Sequence, residues 1–442
     1  MGILTIAILV LISIAAIVVL TSRTKLNPFA SLFIVALLLA VAALPKSNVI
    51  EILKIGFGNT IASIGFLIIF GAVIAVVMEK SNAAQSIANY ILNRTGEKKA
   101  AKALGITGYL VGLPIFCDSG YIILSGLVEP FSKRAGVAAP MIAFVLATSL
   151  YAVHCLTPTH PGALAAAEIL QADIGMLILL GALFAIPAAV AAYFWIQFRT
   201  QNIIFEENKN SDPATANDES LPPLSLSLLP IVAPLMLITL ASLLSLLNLA
   251  ADNIVFSFVA FIGQPIMALF IGAALSLLLL HNKSVTAINQ VIAAAIEKAG
   301  PILIITGAGG MFGMVIKETE VGAYFGNILL NAGLGLAVPF LISAILKTAQ
   351  GSSTVAVITA ASLLAPMLNT LGLDTEVGKI FTALALGAGS MLVSHANDSY
   401  FWVISRFSNI NPGITLKIYS SATFVMGATV FLFIWFTSII VF

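Results

Sequence analysis

The sequence predicts an all-α polytopic membrane protein made of two inverted-topology repeats, each with a re-entrant helical hairpin and a broken transmembrane helix. Three observations carry this. Of the 442 residues, 60% are apolar and only 9% charged, with more long apolar segments than a soluble core could use. Two apolar stretches, 104–130 and 338–366, are interrupted at their centres by polar residues and glycine. The order of elements in residues 1–199 also returns in residues 224–442.

Residues 3–20 and 28–44 read as spanning helices, 47–57 as a short interfacial helix, and 61–78 as the next span. The first run lacks a basic start and is followed by Arg23 and Lys25, so it reads as an uncleaved helix with its N-terminus outside. In 104–130 each arm has about ten residues, which at ~1.5 Å per residue reaches about halfway through a ~30 Å hydrocarbon core. Lys98, Lys99 and Lys102 precede this stretch and Lys133 and Arg134 follow it, placing both ends in the cytoplasm. Residues 137–156 then run into a break at Thr157 to Gly162, and 174–198 span back to Arg199. The polar segment 200–223 carries Glu206, Glu207, Asp212, Asp218 and Glu219 and reads as a cytoplasmic linker.

In the second half, 226–248 and 256–280 read as spans, 284–299 as amphipathic, and 301–316 as a span. Gly71, Val77, Asn89 and Leu92 align with Gly309, Val315, Asn327 and Leu330, and His160 falls near His395 at a slightly shorter offset. Five crossings before the linker make the second half sit upside down. Only Lys46, Lys54, Lys317 and Lys379 then lie outside, with Lys347 in the membrane and the other Lys and Arg inside, and both termini are extracytoplasmic. Within the repeats, 1–57 and 224–300 are the expected scaffold parts, and 58–199 and 301–442 the transport parts.

Four polar clusters interrupt apolar sequence: the tips Pro114 to Gly120 and Gln350 to Thr354, and the breaks Thr157 to Gly162 and Ser394 to Ser399. Non-helical backbone at membrane depth is tolerated only inside protein or beside a wet cavity, so these are the candidate site. Free helix N-termini suit a substrate carboxylate. Asn59, Thr60, Asp118, Ser119, Gly120, Gln350, Gly351, Ser352, Ser353, Thr354 and Asn397 are the expected substrate-binding residues, their amides and hydroxyls reading a polyol chain. The bland alternative has the Ser and Thr bonding to helix carbonyls. Asp118, His160, His395 and Asp398 are intramembrane groups that can exchange a proton in the working range, unless the histidines only brace helix breaks. Lys347 has three readings: neutralising a carboxylate, contacting an anion, or snorkelling to the outer surface.

The glycines Gly58, Gly307, Gly309, Gly310, Gly387 and Gly389 allow unwinding or close helix packing. None sits in a P-loop, the two cysteines Cys117 and Cys155 suggest no disulfide framework, and no metal, cofactor or nucleic-acid motif occurs.

On the stretches GNTIASIGFLIIFGAVIAVVMEKSNAAQSIANYI, GLPIFCDSGYIILSGLVEP, YAVHCLTPTHPGALAAAEILQADIG, KTAQGSSTVA and SHANDSYFW, the chain resembles the gluconate:proton symporter (gluconate permease) family of the ion transporter superfamily over nearly its whole length. The resemblance implies a non-enzymatic symporter in the bacterial inner membrane that imports gluconate or a related small hydroxy acid anion with protons. It also implies a homodimer with a scaffold and a moving, elevator-type transport domain. A sodium-coupled carboxylate transporter of the same fold is the alternative, with hairpin carbonyls and Asn59 holding the ion. An intramembrane hydrolase, with Ser353 as nucleophile and His395 as base, is a remote one.

Overall fold

The computed structural model describes residues 2–22, 24, 26–44, 47–201, 221–246, 254–319, 321, 334–395 and 398–441. Among these the regular structure is helical throughout. Five helical stretches are long and apolar enough to cross a membrane, and two bent pairs bring the number to seven. The expected linker 200–223 lies outside the described residues except at its ends, as do Asn327 and Leu330 of the repeat alignment.

Helices α1 (Ile3–Ser22) and α2 (Pro28–Ala43) open the chain. The Asn27 side chain accepts the Phe29 N–H, and Pro28 supplies the preset φ of a first helical turn, so α2 starts where the sequence tells it to. Next comes α3 (Val49–Lys80), which corrects the sequence reading: the expected interfacial helix and the span after it are one helix of 32 residues. Their junction survives as a 43° bend between Val49–Ala62 and Gly65–Lys80. The helix stays continuous because α14 (Val285–Glu318) lies along it: a Cβ on Gly56 would come within 2.7 Å of the Gly310 carbonyl oxygen. Helix α14 is the same correction in the second half, joining 284–299 to 301–316 through Pro301.

Short α4 (Ala83–Thr95) leads to the first hairpin, α5 (Ala100–Gly112) and α6 (Cys117–Ser125), followed by α7 (Val128–Ala135). The hairpin starts four residues earlier than expected and turns where expected. Helices α8 (Ala139–Leu156) and α9 (Pro161–Leu170) form the broken span, and α10 (Ile174–Thr200) returns.

After α11 (Leu224–Leu246), the expected single span 256–280 is broken into α12 (Ile254–Ile262) and α13 (Pro265–Ser276), bent by 70°. Two local facts break it. Gly263 sits so close to α11 that a Cβ would meet the Leu237 carbonyl oxygen at 2.4 Å, and Pro265 drives Gln264 to an extended conformation. The second hairpin, α15 (Ala337–Gln350) and α16 (Ser353–Leu364), matches the expected 338–366. The second broken span is α17 (Glu376–Met391) and α18 (Ser399–Phe407). The chain closes with α19 (Pro412–Thr415), a π-helical turn over Leu416–Ser420 and α20 (Ser421–Val441).

Contacts correspond between halves. Helix α5 packs on α8 and α15 on α17; α8 packs on α10 and α17 on α20; α3 meets α13 and α14 meets α2. Helices α9 and α16 cross from one half to the other, and this crossing positions the site.

Candidate functional site between two tips and two breaks

Each hairpin tip touches both helix breaks. The first tip meets the first break through His160, whose Nε2 lies 3.2 Å from the Ile115 carbonyl oxygen. A carbonyl can only accept, so Nε2 carries the proton and Nδ1 accepts; Thr159 Oγ1, 3.1 Å away, is its donor, because the Thr157 hydroxyl donates to Val153 O at 2.7 Å. The second tip meets the first break where Gly162 has no side chain: a Cβ there would stand 3.1 Å from Thr354 Cα. Ser353 also reaches the Cys155 thiol. The first tip meets the second break through the Tyr121 and Tyr400 rings, 6.0 Å apart edge to face, and through Asp118, which lies within Coulombic reach of Asp398.

The fourth junction carries charge. Lys347, near the C-terminal end of α15, is fully buried and places Nζ 2.6 Å from Asp398 Oδ2 and 3.3 Å from the Gly351 carbonyl oxygen. Of the three readings left open by the sequence, the structure selects neutralisation of a carboxylate and excludes snorkelling. A cation at a helix C-terminus is also favoured by the dipole. Asp398 caps α18, with Oδ1 accepting the Tyr400 N–H at 3.0 Å, while Oδ2 also accepts the Ser394 hydroxyl. His395 Nε2 donates to Thr348 O at 3.1 Å, tying the same break to α15.

Backbone chemistry at the tips follows the sequence. Gly351 ends α15 at φ +81°, a left-handed conformation that glycine adopts without a Cβ penalty, and Ser352 then caps α16 by accepting the Val355 N–H at 3.3 Å. Ser352, Ser353 and Thr354 are half-buried. Asp118 and Ser119 lie in the first turn of α6, where the free N–H groups are, and Gly120 lets the tip lie against Leu150 of α8. Asp118 Oδ1 is buried without a hydrogen-bond partner among the described residues.

Asn59 and Thr60 sit elsewhere. The Thr60 hydroxyl donates to Gly56 O at 2.9 Å, and the side chain packs against Gly310, inside the α3–α14 crossing; Asn59 beside it is exposed. Asn397 and the side chain of Gln350 lie outside the described residues.

Several site neighbours carry no sequence signal beyond being polar handles in apolar helices. Tyr151, Tyr400 and Tyr419 stack around one another at 5.7–6.3 Å, with Tyr151 and Tyr400 donating to the Ser390 and Ala147 carbonyls. His154 is half-buried, with its ring 4.8 Å from that of His160. The π-helical turn places Ser420 and Thr423 so that they hold both backbone groups of Ser394, the carbonyl and the N–H. Just before it, Val393 has φ +46°, a strained conformation for a β-branched residue. A cavity of about 20 Å³, room for one or two waters, lies beside Pro114 and Thr159 against Pro230, Pro234 and Leu269.

The model of the GntP family permeases matches residues 4–440. The chain belongs to that family. As a GntP family permease it is a membrane transporter and not an enzyme, so the hydrolase alternative falls away; the apolar helices make it multi-pass. Among its relatives are the inner membrane permease YgbN of Escherichia coli, 31% identical over 98% of this chain and 99% of the relative, and the high-affinity gluconate transporter of the same species, 28% identical over 93% and 94%. The fold resembles that of the Alcanivorax borkumensis YdaH transporter, with a TM-score of 0.64 at 15% identity over 92% of this permease and 97% of that chain.

Proposed function

We propose that this permease is a proton-coupled symporter of the bacterial inner membrane that imports gluconate or a related small sugar acid or hydroxy acid anion. One observation carries the reading: the second tip and the second break meet in a buried ion pair, Lys347 with Asp398, beside Asp118 of the first tip, a half-buried carboxylate whose Oδ1 has no hydrogen-bond partner among the described residues. Buried charge at membrane depth is expensive and marks ion and substrate pathways. The name of the gluconate-transporting relative supports the substrate class.

In this reading the tip residues Ser119, Gly120, Gly351, Ser352, Ser353 and Thr354 surround the substrate, and Gln350 and Asn397 are counted with them on their sequence alone; Asn59 and Thr60, set in the α3–α14 crossing, are left out of the site. Asp118, His395 and Asp398 handle protons, whereas His160, hydrogen-bonded through both ring nitrogens, braces the first break. The corresponding contacts of the two halves support inverted repeats, 1–199 and 224–442, whose two near-equivalent packings supply alternating access. The hairpins and broken helices move as one body against a dimeric scaffold of residues 3–44 and 226–280, and the small cavity at Pro114 lies on that sliding boundary.

Purified protein in liposomes, offered labelled gluconate, glycerate and citrate under an imposed proton gradient with and without sodium, tests this. Accumulation of a monocarboxylate on the proton gradient alone is expected. Accumulation only with sodium overturns the proton coupling and moves the ion to the hairpin carbonyls.

A further inference from the structure

Lys347 is the one lysine or arginine that is buried among the described residues, and it stands where tip and break meet. Its ammonium has three donors, and the Asp398 and Gly351 oxygens account for two. Asp398 is not committed to it alone. Oδ1 serves the α18 cap and Oδ2 is shared with the Ser394 hydroxyl, so a protonated Asp398 keeps its place in the break while its claim on Lys347 ends. The freed ammonium then needs another anion, since an unpaired buried charge is costly. Among the described residues the ionisable groups facing the pair are Asp118 and Cys117 from α6, Tyr151 and Cys155 from α8, and Tyr419 from the π-helical turn, while His395 of the same break is engaged with the Thr348 carbonyl. Thiols and phenols are neutral in the working range by their ordinary values, which leaves Asp118 as the other acid.

Building on the symporter reading above, we propose that Lys347 is the cation that binds the substrate carboxylate, and that Asp398 and this carboxylate alternate on it. A proton joins Asp398 as the substrate carboxylate joins Lys347, and both depart together. The empty site pairs ammonium with aspartate; the loaded site pairs ammonium with substrate beside a neutral carboxyl. Net charge is the same in both, so neither leg of the cycle drags an uncompensated charge through low dielectric. A monocarboxylate satisfies this balance with one proton. A dicarboxylate brings a second charge, and no second buried lysine or arginine stands among the described residues to meet it.

The test uses full-length purified protein and gluconate as the probe, with binding measured by calorimetry between pH 5 and 8 and accumulation measured in liposomes. Wild-type binding is expected to strengthen as pH falls. Asp398→Asn keeps the cap and the bond to Ser394; it is expected to bind gluconate without pH dependence and to lose proton-driven accumulation. Lys347→Gln is expected to weaken binding about 10–100-fold, the range for losing one charge-assisted contact. Because that variant strands Asp398 and can fail to fold, the neutral double variant Lys347→Gln/Asp398→Asn decides. It retains no unpaired charge and is expected to fold and to bind as poorly as Lys347→Gln. Binding restored to the wild-type level in the double variant would show a mere structural brace and overturn the proposal, as would loss of binding in an Asp398→Asn protein whose thermal melt matches that of the wild type. Wild-type protein that binds none of gluconate, glycerate or citrate overturns the symporter reading itself. Wild-type binding left intact by Lys347→Gln overturns only the role of Lys347.

Discussion

The two helix breaks occupy corresponding places and are held by different physics. The first, at Thr157 to His160, is closed by neutral hydrogen bonds: the Thr157 hydroxyl on Val153, Thr159 on His160, and His160 on the first tip at Ile115. The second, at Ser394 to Asp398, is closed by a buried ion pair and by the backbone grip of Ser420 and Thr423 on Ser394. A neutral network keeps its preferred arrangement over a wide range of proton concentration. A pair with one carboxylate shared between two donors changes partners when one proton arrives. One half of the molecule is therefore suited to holding a shape and the other to sensing load.

The comparison is broken or sharpened by substitutions on each side. The largest expected effect is at the charged break. Asp398→Ala strands Lys347 and should cost about 3–5 kcal/mol, whereas Thr157→Ala in the neutral break should cost about 1 kcal/mol. Thermal melts of both variants in one detergent compare them, and equal losses would erase the distinction. Next comes His160→Ala, which takes the imidazole donor from the Ile115 carbonyl and the acceptor from the Thr159 hydroxyl and should cost about 1–3 kcal/mol; His395→Ala, half-buried and with a single bond among the described residues, should cost less. The same melts order them, and a larger loss at His395 would contradict the account. Gly162→Ala places a methyl 3.1 Å from the Thr354 backbone, tighter than ordinary packing, and should slow gluconate uptake several-fold with little change in melting. Unaltered uptake would show that the tip and α9 part freely. The smallest stability change is expected for Asp118→Asn, because one carboxylate oxygen has no hydrogen bond to lose among the described residues; proton-driven accumulation should nonetheless disappear. Accumulation at the wild-type level in a folded Asp118→Asn protein would remove this carboxylate from the coupling.

Much of this site was legible because the punctuation is local. Gly351 with Ser352, Pro114 with Asp118, and Pro161 with His160 are polar or helix-ending residues inside apolar runs, and each marks a turn with its own chemistry. What joins distant segments was not legible. Lys347 and Asp398 are 51 positions apart, and nothing in either neighbourhood names the other. The single helices α3 and α14 were read as two pieces each because mixed polarity at their starts resembles an interface, whereas their mutual glycine contacts keep them whole. The reverse held for 256–280, uniformly apolar yet broken at Gly263 by the approach of α11. Tyr151, Tyr400 and Tyr419 carry no local signal, because their hydroxyls bond to remote carbonyls or point toward the break.

The spacing of the ion pair also bears on how the protein is made. At about 5–20 residues per second, the ribosome completes Lys347 roughly 3–10 s before Asp398. Throughout that interval the second hairpin holds an ammonium with no carboxylate partner from its own break, and such a segment is poorly suited to resting at bilayer depth. The hairpin is therefore expected to wait at the membrane surface or against the finished first half until α17 and α18 arrive. Insertion of this hairpin is then expected to be a late event, timed by the synthesis of its counterion.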